Sequence, residues 1–231
     1  MIFKKRKKEE APVGIIAADN PTSIISEQIR TIRTNIQFSM VDKELRTMLI
    51  TSATAESGKT TIASNLGASF AAEGKRVLLV AADMRKPRLQ KTFGVRKNQG
   101  LTTLITNPSL KVENVAQETY IKNLSVIVCG PIPPNPAELL NSNRMRTLVE
   151  EMKEQYDLVI FDSPPLLAVT DAQILSTEVD GTILVIPEGE VTHDEVEMAA
   201  ERLKKVNANV LGTVLNKAEP NADAYYYYES E

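Results

Sequence analysis

The chain has 231 residues, 42% of them hydrophobic and 25% charged, the proportions of an ordinary soluble globular protein. Its length is enough for one α/β domain with a proper core. With 27 basic and 30 acidic residues its formal charge is -3, which argues against nucleic acid as the main partner.

Residues 1–21 are predicted to form a flexible basic arm. Five consecutive cations run from Lys4 to Lys8; they could touch anionic lipid, although a solvated tail is the simpler interpretation. A helix from Thr22 to Ser39 is predicted next, because four isoleucines recur there at spacings of four, three and four, on one helical face.

Apolar runs then alternate with longer amphipathic segments, the pattern of parallel strands joined by crossover helices. Six strands are predicted, at Met48 to Ser52, Arg76 to Ala81, Leu124 to Cys129, Leu158 to Asp162, Gly181 to Pro187 and Asn209 to Asn216. Helices are predicted at Lys59 to Glu73, Pro136 to Gln155, Asp171 to Glu178 and Thr192 to Val206. The pattern in residues 98–122 favours no element. The predicted fold class is therefore α/β, a doubly wound, mostly parallel sheet with helices on both faces. Cys129 is the only cysteine, so a reducing cytoplasm is expected.

The segment from Ala53 to Thr60 has the form of a phosphate-binding loop between a strand and a helix. It follows the pattern Gly-x-x-x-x-Gly-Lys-Ser/Thr except that Ala53 replaces the first glycine, which makes it a modified Walker A motif of the P-loop ATPase type. Backbone N–H groups would cradle phosphate, Lys59 would reach the β and γ phosphates, and Thr60 would ligate Mg²⁺. The predicted ATP contacts are Ala55, Glu56, Ser57, Gly58, Lys59, Thr60 and Thr61; an incidental turn before a helix is the alternative.

Two aspartates are predicted to face this loop from strand ends, where doubly wound sheets bind ligands. Asp162 follows four apolar residues, as a Walker B carboxylate does, and Asp83 follows another apolar run with Arg85 close by. The predicted metal ligands are Thr60, Asp83 and Asp162, and the predicted catalytic residues are Lys59, Asp83, Arg85 and Asp162. A carboxylate so placed could also accept a proton during phosphate transfer. The alternative for each aspartate is a strand-end turn or helix cap.

Six motifs occur together over nearly the whole chain: Ser26 to Arg33, the modified loop, Asp83 to Pro87, Gly130 to Leu140, Asp162 to Pro165 and Tyr225 to Tyr228. Jointly they resemble the bacterial tyrosine kinases of capsule and exopolysaccharide synthesis, of the CapB/CpsD type. The resemblance implies an ATP- and Mg²⁺-dependent autokinase whose acceptors, in a neighbouring subunit, are Tyr225, Tyr226, Tyr227 and Tyr228. It also implies a separate transmembrane adaptor of the polysaccharide co-polymerase type. Because the sequence has no apolar run approaching the roughly 18 to 20 residues that cross a bilayer, a cytoplasmic, peripherally attached protein is expected.

In that family a Glu-x-x-Arg-x-x-Arg segment joins subunits into a ring, and it corresponds here to Glu27, Arg30 and Arg33. Spaced by three, these residues occupy a helical sector of about 120° and could pair across an interface; a solvated face is the alternative. The resemblance makes residues 22–217 the kinase domain. Residues 218–231 are predicted to be a mobile tail, with a simple aromatic docking tag as the alternative. By likeness to the wider ATPase class, Asn216 is expected to contact adenine, unless it is only a polar strand end.

Two positions depart from the family pattern. A Pro-Gly pair usually stands where this chain has Ala55 and Glu56, so a negative charge is added near the phosphates. The family's strand-end pattern is Asp-x-Asp-x-Arg, and its first aspartate, a metal-site group and candidate base, falls on Ala81. Ala81 therefore predicts ATP binding with weakened turnover.

Two other functions remain open from the sequence. A switch ATPase of the MinD/ParA kind would share the sheet, but its signature lysine would fall on Thr54. An ATP-binding scaffold of a polysaccharide export complex is favoured by Ala81.

Overall fold

The computed structural model describes residues 14–40 and 44–218. Its strands are β1 (Thr47–Ser52), β2 (Val77–Ala81), β3 (Gln117–Glu118), β4 (Leu124–Ile127), β5 (Leu158–Asp162), β6 (Gly181–Pro187) and β7 (Val210–Asn216). Within the described residues they form one sheet in the order β3-β4-β2-β5-β1-β6-β7. Every neighbouring pair is parallel except β3 and β4.

Helices connect these strands and precede the first of them. They are α1 (Ile16–Asp19), α2 (Ile24–Phe38), α3 (Lys59–Ala72), α4 (Leu89–Phe93), α5 (Leu101–Thr106), α6 (Val112–Val115), α7 (Pro136–Leu140), α8 (Asn143–Gln155), α9 (Asp171–Ser176) and α10 (His193–Lys205).

The sheet is covered on both faces. From β1, the chain passes through α3 to β2 on one side, whereas from β5 it passes through α9 to β6 on the other side. Right-handed crossovers in opposite directions place their helices on opposite faces. Accordingly β1, β2 and β5 are buried at every residue. The predicted doubly wound, mostly parallel sheet is confirmed, and its carboxyl edge gathers the ends of β1, β2 and β5.

The third predicted strand is shorter than expected, and a strand pairs beside it that the sequence did not predict. Strand β4 ends at Ile127, because the carbonyls of Val128 and Cys129 turn to accept the N–H groups of Leu101 and Thr102, at 2.8 and 2.9 Å. These bonds satisfy the first turn of α5, in which N–H groups lack helical partners. The two-residue β3 pairs antiparallel with β4.

One predicted helix is in fact two. The expected element from Pro136 to Gln155 is interrupted between α7 and α8, where Ser142 has extended backbone angles. Its side chain accepts a 3.1 Å hydrogen bond from the Met145 N–H, which starts a new helix.

The described part of the predicted arm, residues 14–21, packs against α2 and α3. Ile15 is buried, and the N–H of Ala17 donates to Asn65 Oδ1 of α3 at 2.9 Å. The hydroxyl of Ser26 in α2 donates to the carbonyl of Ile16 at 3.1 Å, so α1 is fixed against both helices. The basic run from Lys4 to Lys8 lies outside the described residues.

Candidate active site

The predicted phosphate loop joins β1 to α3 and is held by its own hydroxyls. Ser52 and Ser57 both donate to the carbonyl of Thr54, at 2.6 and 2.8 Å. Lys59, Thr60 and Thr61 form the first turn of α3. The loop therefore stands at the positive end of a helix with its backbone already folded into a compact turn, as phosphate binding requires.

Gly58 occupies a position that no other residue could fill without rearrangement. Its φ is +85°, and a Cβ built there would lie 2.1 Å from Nδ2 of Asn216. That Nδ2 donates to the carbonyl of Ser57 at 2.9 Å. Asn216, at the end of β7, thus contacts the loop backbone; its expected role at adenine stays a prediction.

Glu56 also has a left-handed backbone, with φ of +62°. Such a conformation costs a side-chain-bearing residue about 1–2 kcal/mol relative to glycine. This geometry accounts for the glycine that the family pattern has at this position.

Lys59 is almost fully enclosed, at 8% exposed, although it carries a charge. Burial lowers the pKa of its ammonium, and the negative charges of Asp162 and Asp83 oppose that change. Arg88 lowers the same pKa. The structure thus brings Lys59 within electrostatic reach of both predicted aspartates.

Asp162 ends β5 and meets the phosphate loop directly. Its Oδ2 accepts a 2.7 Å hydrogen bond from the Thr60 hydroxyl. Burial raises the pKa of Asp162 to about 7, while the bond from Thr60 and the charge of Lys59 act in the opposite direction. A hydroxyl and a carboxylate in contact beside a buried lysine are the groups with which P-loop proteins hold Mg²⁺.

Asp83 is placed by the turn that follows β2. Its Oδ1 accepts the N–H groups of Arg85 and Lys86, at 3.1 and 2.9 Å. Its own N–H donates to the carbonyl of Asp162 at 2.8 Å. The two predicted carboxylates are therefore tied together through the backbone at one edge of the sheet.

The donor set suits a magnesium ion shared with phosphate. Within residues 14–40 and 44–218, no three His, Cys, Asp or Glu side chains come together as a metal-binding group. Mg²⁺ commonly takes one or two carboxylates together with substrate phosphates and water. The hydroxyl of Thr60 touching the desolvated Asp162 fits that requirement.

Arg85, predicted to be catalytic, is held by another group. Its guanidinium makes a two-point contact with Asp171, from Nε to Oδ2 at 3.0 Å and from Nη2 to Oδ1 at 3.1 Å. The carboxylate of Asp171, the first residue of α9, is completely buried. No local pattern in the sequence indicated this pairing.

The arginine that faces the loop is Arg88. Its Nη2 lies 3.6 Å from Oε1 of Glu56, and its charge lowers the pKa values of both Lys59 and Asp162, although burial dominates each shift. In the sequence, Arg88 was one of several cations after β2, and no spacing rule distinguished it.

The three predicted oligomerisation residues have partners within the chain. Arg30 pairs with Glu27 and donates to the Pro21 carbonyl at 2.9 Å. Arg33 reaches α3, where it donates to the Ser69 carbonyl at 2.9 Å and pairs with Glu73 at 2.7 Å. Arg33 therefore helps to fix α2 in the fold, whatever it does between subunits.

The predicted phosphoacceptors, Tyr225, Tyr226, Tyr227 and Tyr228, lie outside the described residues. Among the residues that are described, no helix combines the length and apolar character needed to cross a membrane.

Fold and loop together place the chain among the P-loop nucleotide-binding proteins, and a family model described as an AAA domain matches residues 45–214. Tyrosine-protein kinase YwqD of Bacillus subtilis (strain 168) is 42% identical over 228 residues, which cover 99% of this chain and 96% of that protein. The crystal structure of the chimerical protein CapA2B2 has a TM-score of 0.86 at 36% identity, over 91% of this chain and 93% of that one. The kinase domain of Escherichia coli tyrosine kinase ETK has a TM-score of 0.84 at 34% identity, over 95% of this chain and 87% of that one. The chain belongs to the family of bacterial tyrosine kinases.

The switch-ATPase alternative shares the fold only. The cell division ATPase MinD of Pyrococcus furiosus has a TM-score of 0.65, but it is 22% identical over 77% of this chain.

Proposed function

We propose that this protein binds ATP with Mg²⁺ and transfers the terminal phosphate to tyrosine, including Tyr225 to Tyr228 of a second copy. The observation that carries the proposal is the 2.7 Å contact between Thr60 and Asp162 beside the buried Lys59. The family supplies the acceptor class, because its members compared above are named as tyrosine kinases.

The loop and Lys59 bind the phosphates in this proposal. Loop N–H groups and the amino end of α3 orient the phosphate oxygens, and the ammonium of Lys59 lies across the β and γ groups. Because Lys59 is largely shielded from water, its attraction for phosphate is stronger than on an exposed surface. Thr60 and Asp162 would hold Mg²⁺, which would neutralise charge that develops on the phosphates.

Transfer breaks the bond between the γ phosphorus and the oxygen that bridges it to the β phosphorus, and forms a bond to the phenol oxygen. The phenol proton passes to the carboxylate of Asp83, which is only half-buried and stands at the rim of the site. ADP and phosphotyrosine are the products.

Ala81 favours a second candidate, an ATP-binding scaffold with little turnover. It is 2% exposed, at the end of β2 beside the site, where the family pattern has an aspartate. Without that carboxylate, only Asp83 and Asp162 are left among the predicted carboxylates to hold a metal ion and to accept a proton, which is why little turnover would be expected of a scaffold.

The finer partner assignments belong to the same proposal. A homo-oligomeric ring would use the side of α2 that carries Glu27, Arg30 and Arg33, which borders a groove of about 440 Å³ between α1, α2 and α3. A separate transmembrane adaptor of the polysaccharide co-polymerase type would attach the protein to the cytoplasmic side of the membrane. The activity would regulate capsular or exopolysaccharide synthesis and export.

One experiment separates the candidates. The full chain is incubated with ATP labelled in the γ position and Mg²⁺, and phosphotyrosine and free phosphate are measured. Label at Tyr225 to Tyr228 that disappears with Lys59→Met, but not with the exposed control Lys111→Met, supports the kinase. Free phosphate alone supports a switch ATPase, and nucleotide binding without either product supports the scaffold.

Transfer between copies needs its own test. A chain with Lys59→Met, which retains its tail, is mixed with an active chain whose four tail tyrosines are changed to phenylalanine. Label on the Lys59→Met chain supports transfer in trans, and its absence contradicts it.

A further inference from the structure

Arg88 and Glu56 form a charged pair across the mouth of the phosphate loop. Glu56 lies in the loop, three residues before Lys59, and Arg88 comes from the segment between β2 and α4. Their nearest charged atoms are 3.6 Å apart. The pair therefore links two segments that border the site.

This pair can be broken at little cost. The side chains are 62% exposed at Arg88 and 78% exposed at Glu56, and 3.6 Å is longer than a good hydrogen bond. Exposed ion pairs of this kind contribute little to stability, because water screens them. A stronger anion placed nearby would take the guanidinium from Glu56.

A bound triphosphate would be that anion. The planar guanidinium matches phosphate oxygens at two points, and such contacts are among the strongest hydrogen bonds in proteins. Arg85, the arginine of this turn that was predicted from the sequence to be catalytic, is bound instead to the buried Asp171.

The geometry points to Arg88 as the residue that contacts the terminal phosphate of a nucleotide held by the loop, with Glu56 holding it at the mouth of the site beforehand. This inference rests on the nucleotide binding of the proposed function. It adds a phosphate contact that distinguishes ATP from ADP, and it gives the unusual Glu56 a role in the nucleotide-free protein.

The test is calorimetric titration of the full chain, with Mg²⁺, using the β,γ-imido analogue of ATP and, separately, ADP. Arg88→Ala should weaken binding of the analogue by about 10-fold or more and of ADP by less than about 2-fold, because only the analogue has the terminal phosphate that would accept charge-assisted hydrogen bonds from the guanidinium. Arg88→Lys keeps the charge but loses the two-point geometry, so its affinity for the analogue should lie between those of Arg88→Ala and the unchanged protein. Arg96→Ala is the matched control, an exposed arginine beyond α4.

Glu56→Gln tests the second half of the inference. It should tighten binding of the analogue about 3-fold, and the gain should shrink when Arg88→Ala is also present, because part of it comes from releasing Arg88. Equal gains in both backgrounds would show that Glu56 acts only through its own charge, and would overturn the holding role.

The outcomes also separate this inference from the proposed function. Equal losses for the analogue and ADP, or no loss, with Arg88→Ala would overturn the terminal-phosphate contact. No binding of either nucleotide to the unchanged protein would overturn both proposals. Analogue binding that depends on Arg88 in a chain that phosphorylates no tyrosine would support the contact and contradict the kinase.

Discussion

Ala81 and Asp162 are register partners on the neighbouring parallel strands β2 and β5. Residues paired in this way point to the same face of a sheet, so the Cβ of Ala81 lies beside the carboxylate-bearing side chain of Asp162. A carboxylate at position 81 would therefore stand next to the one that binds Thr60.

We expect Ala81→Asp to increase tyrosine phosphorylation at least about 10-fold, through a carboxylate that helps to hold the metal. In protein without metal it should also destabilise the fold by about 1–3 kcal/mol, because two buried carboxylates repel each other. Initial rates with labelled ATP and urea unfolding with and without Mg²⁺ measure the two effects. Ala81→Asn has the same shape without the charge; a similar rate gain in that variant would contradict this explanation.

The free energy of unfolding should depend on pH through the titration of Asp162. Its pKa is raised to about 7 in the folded protein, from about 3.9 in an unfolded chain. Between these values the folded state binds one proton more than the unfolded state. This contribution to stability is therefore complete below about pH 4 and is lost as the pH rises to 7, at up to about 1.4 kcal/mol per pH unit.

Asp162→Asn removes this titration, and asparagine Oδ1 can still accept from Thr60. The free energy of unfolding of that variant, measured by urea titration from pH 4 to 7, should fall less with rising pH than that of the unchanged protein. Parallel pH curves for the two proteins would show that Asp162 does not titrate in this range.

Gly58→Ala should disable the loop for two reasons, its left-handed backbone and the overlap of the new Cβ with Asn216. We expect a loss of about 1–3 kcal/mol in stability and weaker nucleotide binding. Adding Asn216→Ala removes the overlap but not the backbone strain, so it should restore part of the stability. If the double variant loses as much stability as the two single variants together, the overlap with Asn216 is not the cause of the loss.

Arg33→Ala should destabilise the monomer, since it removes the contacts of α2 with Ser69 and Glu73. The expected loss of unfolding free energy is about 1–3 kcal/mol, because Arg33 is only 12% exposed and both its ion pair with Glu73 and its hydrogen bond to Ser69 are lost. Glu27→Ala removes only a pair within one helical turn, so its loss of stability should be much smaller. The two variants are compared by urea unfolding, at a protein concentration at which light scattering shows monomers. Equal losses of unfolding free energy would contradict the expected difference.

The sequence predicted the features that depend on neighbouring residues. The strands were found because both faces of a parallel sheet demand continuous apolar runs, and the loop was found because phosphate binding needs a strand, a glycine-lysine pair and a helix in succession. Asp162 was predicted in the same way, from the run of four apolar residues directly before it. In the structure it touches Thr60, which is 102 positions away along the chain.

Features that depend on the packing of distant segments were missed. Arg85 and Asp171 are 86 positions apart, and nothing near either residue identifies the other. The break before α8 did have a local signal, since Ser142 is a favourable cap, but the apolar spacing on both sides suited one continuous helix. The contact between Arg88 and Glu56 likewise depends on the folded conformation of the turn after β2, which the residues next to either side chain do not reveal.

Asn216 connects the last described strand to the phosphate loop, through its bond to the carbonyl of Ser57. Thermodynamic linkage makes such a connection reciprocal: whatever ligand restricts the loop also restricts the end of β7, and a partner that pulls on the chain beyond residue 216 alters the loop's affinity in return. Hydrogen exchange at β7 should then slow when nucleotide is added. An unchanged exchange rate would mean that loop and strand move independently.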